Sequence, residues 1–244
     1  MIQQRRDAMK KALVFIIVCF CFLMERSGAA AESSTLLHEQ EREWFGRGQE
    51  SIAFGKYDEA ITCFEKVLAL NPDFTDAYRF IGDVYMKKGM LDSAIQSYKK
   101  ALDSKAQKVP ALIGLGNSCF QKTMLDEALS AYDRALAIQP DNALAHIGQG
   151  DVYLKKEDIG SALSEYQKGL ALEPDHAEAH LALGLIFQKK GENSVAAQHF
   201  YKAGLLFIKE GNRKNALTAY EHLKQTKTAK LEQLLYDALQ SSIK

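Results

Sequence analysis

Residues 109–142, VPALIGLGNSCFQKTMLDEALSAYDRALAIQPDN, align without a gap to residues 143–176, ALAHIGQGDVYLKKEDIGSALSEYQKGLALEPDH. The same 34-residue spacing continues in both directions, with units beginning at Glu41, Thr75, Val109, Ala143 and Ala177. Each unit has a glycine at position 8, an alanine at position 20 and an aromatic residue at position 24. These residues are Gly48, Gly82, Gly116, Gly150 and Gly184; Ala60, Ala94, Ala128, Ala162 and Ala196; and Phe64, Tyr98, Tyr132, Tyr166 and Phe200. A unit of this length cannot bury its own apolar face, so the pattern predicts that the units stack.

The spacing of apolar residues indicates that each unit contains two helices. Only four prolines occur in the chain, and apolar residues recur at helical spacing through nearly all of its 244 residues. Small residues at positions 8 and 20 allow two helices to cross closely. Proline lacks a backbone N–H, so Pro72, Pro140 and Pro174 at position 32 are expected to end the second helices of three units. The second unit has Ala106 there instead.

The chain resembles the tetratricopeptide repeat (TPR) family in these residues and in the large residue at position 4, which is Trp44, Tyr78, Leu112, His146 or His180. The resemblance covers residues 41–206 in full. It implies an all-α fold, a right-handed superhelical solenoid of antiparallel helix pairs. Five full repeats are expected at 41–74, 75–108, 109–142, 143–176 and 177–206.

The spacing changes after the fifth repeat. Gly204, Ala216 and Tyr220 carry the same signature, but they follow the fifth set by 20 residues instead of 34. We therefore expect a partial sixth unit at 194–225 that overlaps the fifth, with one helix serving both. Residues 226–244 are expected to form a C-terminal capping helix.

The first 31 residues are typical of an export signal. Four basic residues, Arg5, Arg6, Lys10 and Lys11, precede the apolar run 12–24, and three alanines follow at 29–31. The run is short for a membrane span, so a signal peptide over 1–31 is favoured, and an uncleaved anchor at 12–24 is the alternative. The sequence thus predicts an exported protein of the bacterial periplasm. Residues 32–40 are expected to lead into the first helix.

Charge and motifs argue against several classes of function. Without residues 1–31 the chain has 26 basic and 29 acidic residues, and charges of both signs alternate along the helices, so nucleic acid is not an expected partner. Cys63 and Cys119 lie two repeats apart and are expected to be buried thiols. The chain has neither a nucleophile elbow nor a glycine-rich loop between a strand and a helix. We expect no enzymatic activity and no cofactor.

The histidines leave two interpretations open. His176 and His180 are one helical turn apart, and His146 lies one repeat earlier. His146 and His180 occupy position 4, which normally holds a packing residue, so structural packing is favoured and no metal is expected. A metal site is the alternative, although Glu178 lies on another side of the helix from the two histidines.

The resemblance places positions 2, 5, 9, 12 and 13 of each first helix on the concave wall of the superhelix. Positions 5 and 12 are mostly apolar, and a polar row at position 9 separates them. Such a surface suits a peptide or an amphipathic helix of another protein. The predicted groove residues are Arg79, Asp83, Met86, Lys87, Ile113, Asn117, Phe120, Ile147, Asp151, Leu154 and Leu181. The alternative is that position 9 is merely solvated and the apolar residues pack among themselves.

The sequence therefore predicts a non-catalytic protein–protein interaction scaffold that binds an envelope or secretion partner in its groove. Two alternatives stay open. One is a structural assembly factor that self-associates as a homo-oligomer. The other is an accessory subunit of an enzyme encoded elsewhere.

Overall fold

The computed structural model describes residues 37–103 and 108–242. The expected export signal and residues 32–36 of the lead-in lie outside the described residues. The described residues form twelve helices and no strand, which confirms the all-α prediction. The helices are α1 (37–53), α2 (Tyr57–Leu70), α3 (Asp76–Lys87), α4 (Leu91–Leu102), α5 (Lys108–Gln121), α6 (Leu125–Ile138), α7 (Ala143–Lys155), α8 (Ile159–Leu172), α9 (Ala177–Lys189), α10 (Asn193–Lys209), α11 (Arg213–Gln225) and α12 (Ala229–Ser241).

Neighbouring helices pack in chain order, as in a TPR solenoid. From α2 onward each helix contacts the next, and the first helices α3, α5 and α7 of successive units also touch one another. Helices α2, α6 and α8 end at Leu70, Ile138 and Leu172, each two residues before a proline. The prolines thus mark the ends of second helices, as the missing N–H predicts.

The aromatic ring at position 24 packs on the glycine at position 8 of the same unit. A Cβ atom added to Gly116 would lie 2.5 Å from Cε1 of Tyr132, and the glycines at this position in the other four units face their own aromatic rings in the same way. Tyr98 and Tyr132 also lie against Gly114 and Gly148 of the following unit. Each of these two rings therefore fills the space between two successive first helices.

Ion pairs join successive units at the surface. Lys88, Lys122 and Lys156, at position 14, pair with an aspartate at position 18 of the preceding unit: Asp58, Asp92 and Asp126. The Lys156 Nζ to Asp126 Oδ1 distance is 2.8 Å. Each of these lysines thus contacts a carboxylate and also lies at the C-terminal end of a first helix. Pairs as exposed as these contribute little individually, because water screens them.

The turn between the two helices of a unit requires a left-handed residue at position 15. Gly55, Gly89 and Gly191 have φ values of 70°, 71° and 79° there, whereas Thr123 and Glu157 adopt φ of 63° and 62°. Glycine reaches this region without steric cost, but residues with a Cβ do not. The third and fourth units therefore keep the turn despite the local strain.

The C-terminal part departs from the repeat. Helix α10 has 17 residues and packs on α9, α11 and α12. The three atoms nearest to a Cβ added at Gly204 all belong to Leu235 of α12. Tyr220 is only partly buried. The glycine of the sixth signature is thus covered by the last helix instead of by the aromatic residue of its own unit, because α12 occupies that space.

We predict that Gly116→Ala destabilises the protein. Tyr132 cannot move away from the new methyl group, because Gly148 holds the far side of the ring. Crowding of this kind costs about 1–3 kcal/mol, more than the roughly 0.5–1 kcal/mol that alanine gains in a helix. Urea denaturation followed by circular dichroism measures the shift in midpoint.

The matched control is Gly46→Ala in α1, where an added Cβ has no atom within 4 Å. This variant should unfold at an equal or higher urea concentration than the wild type. Equal midpoints for Gly116→Ala and Gly46→Ala would contradict the packing of the ring on the glycine.

Candidate interaction pocket

A pocket of about 480 Å³ lies between α3, α5 and the start of α7. Six of the eleven residues predicted for the groove line it: Arg79, Asp83, Met86, Lys87, Ile113 and Asn117. They come from positions 5, 9, 12 and 13 of the second and third units. The structure thus brings more than half of the predicted residues into one cavity that spans neighbouring repeats.

Seven further residues line the pocket and were not among the predicted groove residues. They are Tyr98 from α4, Val109, Pro110 and Gly114 from α5, and Gln139, Asn142 and Leu144 around the start of α7. The pocket combines apolar walls with amide groups and the cations of Arg79 and Lys87. It can therefore contact apolar side chains and hydrogen-bond polar groups of a ligand at the same time.

Arg79 is held in place at one side of the pocket. Its Nη1 donates to Oδ2 of Asp83 at 2.8 Å, one helical turn away, and its guanidinium lies 3.8 Å from the centre of the Phe80 ring. The arginine side chain is mostly buried. Stacking and ion pairing together fix the guanidinium plane, which leaves it little freedom before a ligand arrives.

The polar row at position 9 receives hydrogen bonds from the tyrosines at position 24. The hydroxyl groups of Tyr98, Tyr132 and Tyr166 donate to Asp83, Asn117 and Asp151 at 2.7, 2.6 and 2.6 Å. Burial raises the pKa of the Asp83 and Asp151 carboxyls, although the tyrosine hydrogen bonds oppose that shift. The row thus lines the pocket at Asp83 and Asn117, and it also connects the two helices of the second, third and fourth units.

The sequence contains a signal for these bonds. The three units that have tyrosine at position 24 have aspartate or asparagine at position 9. The first and fifth units have Phe64 and Phe200, which cannot donate, and their position 9 holds Gln49 and Leu185. A tyrosine hydroxyl at position 24 is therefore matched by an aspartate or asparagine 15 residues earlier, at position 9. This match in the sequence could have been used to predict that the tyrosines lie beside the groove.

Five predicted groove residues lie outside this pocket: Phe120, Ile147, Asp151, Leu154 and Leu181. Phe120, Leu154 and Leu181 are half-buried and pack against hydrophobic core clusters that neighbouring units share. Ile147 is only 5% exposed, so its side chain is part of the core and not of an open wall. The physical reason lies in α8, where Gly169 has no side chain and Ile147 occupies the space beside it.

The position-4 histidines make structural hydrogen bonds. Nε2 of His146 and Nε2 of His180 each lie 3.0 Å from a proline carbonyl oxygen, of Pro140 and Pro174 respectively. Nδ1 of His146 contacts Glu165 at 2.7 Å, whereas Nδ1 of His180 lies 3.0 Å from Nδ1 of His199. The carbonyl oxygen of Pro174 only accepts, so His180 must donate from Nε2 and accept from His199 at Nδ1.

Among the described residues, no group of three or more histidine, cysteine, aspartate or glutamate side chains is arranged to hold a metal ion. His176 instead caps α9, with its Nδ1 accepting from the backbone N–H of Ala179 at 3.3 Å. Cys63 and Cys119 are both buried and free, and burial raises the pKa of each thiol.

Within residues 37–103 and 108–242, none of the helices has both the length and the apolar character needed to cross a membrane.

Comparison with known proteins places these features in context. A family profile described as TPR repeat matches residues 116–156 and 150–191, and one described as tetratricopeptide repeat matches residues 45–109. The solved structure of MamA is 27% identical and aligns with a TM-score of 0.57 over 71% of this chain and 95% of that chain. No curated protein matches the chain in sequence.

Two solved structures of lower identity share the fold. PilF of Pseudomonas aeruginosa is 19% identical and has a TM-score of 0.62 over 82% of this chain and 98% of its own. PilW, described as a widely conserved type IV pilus biogenesis factor, is 20% identical and has a TM-score of 0.61 over 80% and 98%.

We predict that His199 titrates far below an ordinary histidine. Burial, and secondly the nearby His180, lower the pKa of His199 to about 4. The unfolded chain binds the proton near pH 6.5, so the contribution of His199 to stability is complete above that pH and declines as the pH falls toward 4. Imidazole NMR signals should show the low midpoint directly.

Replacing His199 by a neutral residue tests the same link between its pKa and the pH dependence of stability. His199→Gln should lose less thermal stability than the wild type between pH 7 and pH 4.5. The raised pKa values of Asp83 and Asp151 act in the opposite direction in both proteins, so the difference between the two pH profiles isolates His199. A midpoint near 6.5, or identical profiles, would contradict the half-buried pairing of His180 with His199.

Proposed function

The chain belongs to the tetratricopeptide repeat family, and from this premise we propose that it is a non-catalytic scaffold whose pocket between α3, α5 and α7 holds a peptide or an amphipathic helix of a partner protein. One observation carries the proposal. Side chains from three successive units converge on a single cavity of about 480 Å³, and eight of them occupy positions 2, 5, 9, 12 or 13 of their units.

The walls of the pocket suit a polypeptide ligand. Val109, Pro110, Ile113 and Leu144 offer apolar contacts for large side chains. The amide oxygens of Asn117, Gln139 and Asn142 already accept hydrogen bonds within the chain. The amide nitrogens of Asn117 and Gln139 can donate to the carbonyl oxygens of a peptide backbone. Lys87 adds an exposed cation at the edge, which favours partners with acidic residues near their apolar anchors.

A binding role agrees with how the polar groups of the pocket are used. Asp83 accepts from Tyr98 and pairs with Arg79, and Asn117 accepts from Tyr132. These side chains are therefore committed to bonds within the solenoid. Their arrangement favours a rigid, preorganised surface over a nucleophile or a general base.

We place the interaction in the cell envelope. The basic, apolar and small-residue segments of residues 1–31 support export, and they lie outside the described residues. N-terminal sequencing of the protein from the periplasmic fraction tests this part. A mature chain that begins after residue 31 supports export, and an intact N-terminus in the membrane fraction favours the anchored alternative.

Self-association is the second candidate, because apolar side chains are exposed near both ends of the solenoid. Phe54, in the turn between α1 and α2 of the first repeat, is 70% exposed. Leu217, Leu234 and Tyr236 are each more than 40% exposed on α11 and α12. Exposed apolar groups at two ends would allow copies to join head to tail. Sedimentation at increasing concentration distinguishes this from binding in the pocket, since pocket variants would leave the assembly unchanged.

We predict that Lys87→Glu combined with Ile113→Ala weakens partner binding by about tenfold or more, because central anchors dominate interface affinity. Partners are captured from an envelope extract by crosslinking, identified by mass spectrometry, and their affinities are then measured by calorimetry. Circular dichroism checks that the helices are retained.

The control moves both substitutions two repeats along the chain, to Lys155→Glu with Leu181→Ala. These residues occupy the same unit positions but lie outside the pocket, so binding should stay near the wild-type value. Unchanged affinity in the pocket variant would refute the pocket as the binding site. Equal losses in both variants would show that the site extends along the whole groove.

A further inference from the structure

A second pocket, of about 400 Å³, opens between the start of α8 and the end of α9. Its lining residues are Ile159, Gly160, Leu163, Ile186, Lys189 and Lys190. None of them lines the pocket between α3, α5 and α7. The walls are thus apolar side chains and a glycine, with two lysines beside them.

This pocket lies where the series of inter-unit ion pairs stops. At three earlier junctions a lysine at position 14 pairs with an aspartate at position 18 of the preceding unit, as in Lys156 with Asp126. At the fourth junction the lysine is present as Lys190, but Gly160 stands where the aspartate would be. A Cβ added at Gly160 would have only Oδ1 of Asp158 within 4 Å, at 3.8 Å. The missing carboxylate thus leaves open space beside a cation.

The earlier junctions show what the missing group would do. Between α4 and α5, the corresponding surface depression is lined by both members of the pair, Asp92 and Lys122. Between α8 and α9 the carboxylate is absent, and the depression is lined mainly by Ile159, Leu163 and Ile186 instead. The same place in the repeat has therefore changed from an ion pair between units to an apolar pocket beside Lys190, which has no aspartate opposite it.

Lys190 is only loosely engaged elsewhere. Its Nζ contacts Oε1 of Glu192, two residues along its own turn, at 2.7 Å, and both side chains are more than 40% exposed. Exposed pairs of this kind contribute little, so a new carboxylate can replace Glu192 at small cost. Lys189 takes part in none of the ion pairs found in residues 37–103 and 108–242.

We propose that this pocket binds an acidic-apolar segment of a partner protein. A carboxylate of the partner pairs with Lys190 in the place that Asp58, Asp92 and Asp126 hold at the other junctions. A large apolar side chain next to that carboxylate packs against Ile159 and Leu163, which are half-buried, above the buried Ile186. The partner thus supplies the carboxylate that an aspartate of the chain supplies at three other junctions. This site is separate from the pocket proposed for the principal partner.

The charge and shape of the pocket select this occupant over others. A free inorganic anion would leave the apolar walls wet, and an uncharged apolar segment would leave Lys190 with only its exposed pairing to Glu192. Only a segment with a carboxylate next to a large apolar side chain can pair with Lys190 and cover the apolar walls at the same time. A second copy of the chain is the competing occupant, and the experiment separates the two.

The test uses the dipeptide probe N-acetyl-Asp-Phe-amide and its uncharged match N-acetyl-Asn-Phe-amide. Methyl NMR of the purified chain follows Ile159, Leu163 and Ile186 during titration. The aspartate probe should shift these methyl signals and bind about two- to fivefold more tightly than the asparagine probe, as expected for one exposed ion pair. High salt should remove most of that difference.

Two substitutions of Gly160 then distinguish an effect of the added charge from an effect on folding. Gly160→Asp restores the missing carboxylate in the chain itself, so Lys190 is neutralised and the preference for the aspartate probe should vanish while the protein folds at least as well as the wild type. Gly160→Ala fits the open space and should bind both probes like the wild type. Lys190→Gln should lose the preference as well.

The results have distinct meanings. Equal binding of both probes, or an unchanged preference in Gly160→Asp, overturns the proposal, and so do shifts confined to methyl groups elsewhere, such as Ile113. If wild-type chains associate in sedimentation and Gly160→Asp separates them, the occupant is a second copy and the partner assignment is wrong. The Lys87→Glu and Ile113→Ala variant should bind the probes normally, so failure of one site is distinguishable from failure of the other.

Discussion

The solenoid depends on the contact between the aromatic ring at position 24 and the glycine at position 8. At Tyr98 and Tyr132 the ring also touches a glycine of the following unit, so a single side chain sets the spacing within a repeat and between repeats. Close-packed interiors have no room for an added methyl group at such a point, and a neighbour that is itself enclosed cannot yield. This explains why residues that are poor helix formers stand in the middle of the first helices.

The same rings connect the scaffold to the candidate pocket. In the three middle units the ring is a tyrosine, and its hydroxyl reaches the polar residue at position 9. Asp83 and Asn117 are therefore fixed from behind while they line the cavity in front. In the first and fifth units phenylalanine fills the same space without the hydroxyl. The chemistry of the pocket is thus confined to the middle of the array, where the packing residue also carries a polar group.

Differences between units are as informative as the repeat itself. Position 18 changes from aspartate to Gly160 and opens a second pocket beside Lys190. Position 23 changes from Glu165 to His199, which converts a histidine–carboxylate contact into a half-buried histidine pair. Neither change disturbs the helices, because both positions lie outside the glycine–aromatic contacts. The array can therefore vary its surface chemistry unit by unit while the backbone stays constant.

The fold was largely predictable because each of the residues that recur in the repeat has one structural role. The glycine, alanine and aromatic spacing predicted the helix pairs, and the prolines predicted where three second helices end. The sixth signature was less reliable: Gly204 packs on Leu235 and not on Tyr220, since α12 arrives from further along the chain and fills that space first. Local spacing carries no information about which distant element covers an open end.

The site was predictable only in part, for a related reason. Unit position specified which side of a first helix faces the groove, and Arg79, Asp83, Met86, Lys87, Ile113 and Asn117 meet there. Position did not specify depth. Ile113 and Ile147 share position 5, but Ile147 is buried because Gly169 on the facing helix leaves room for it. The sequence by itself determined the helices, their pairing and the repeating faces, because these follow from short-range periodicity. Only the tertiary structure decided which residues form an open pocket, because exposure depends on the side chains that neighbouring helices bring into the same space.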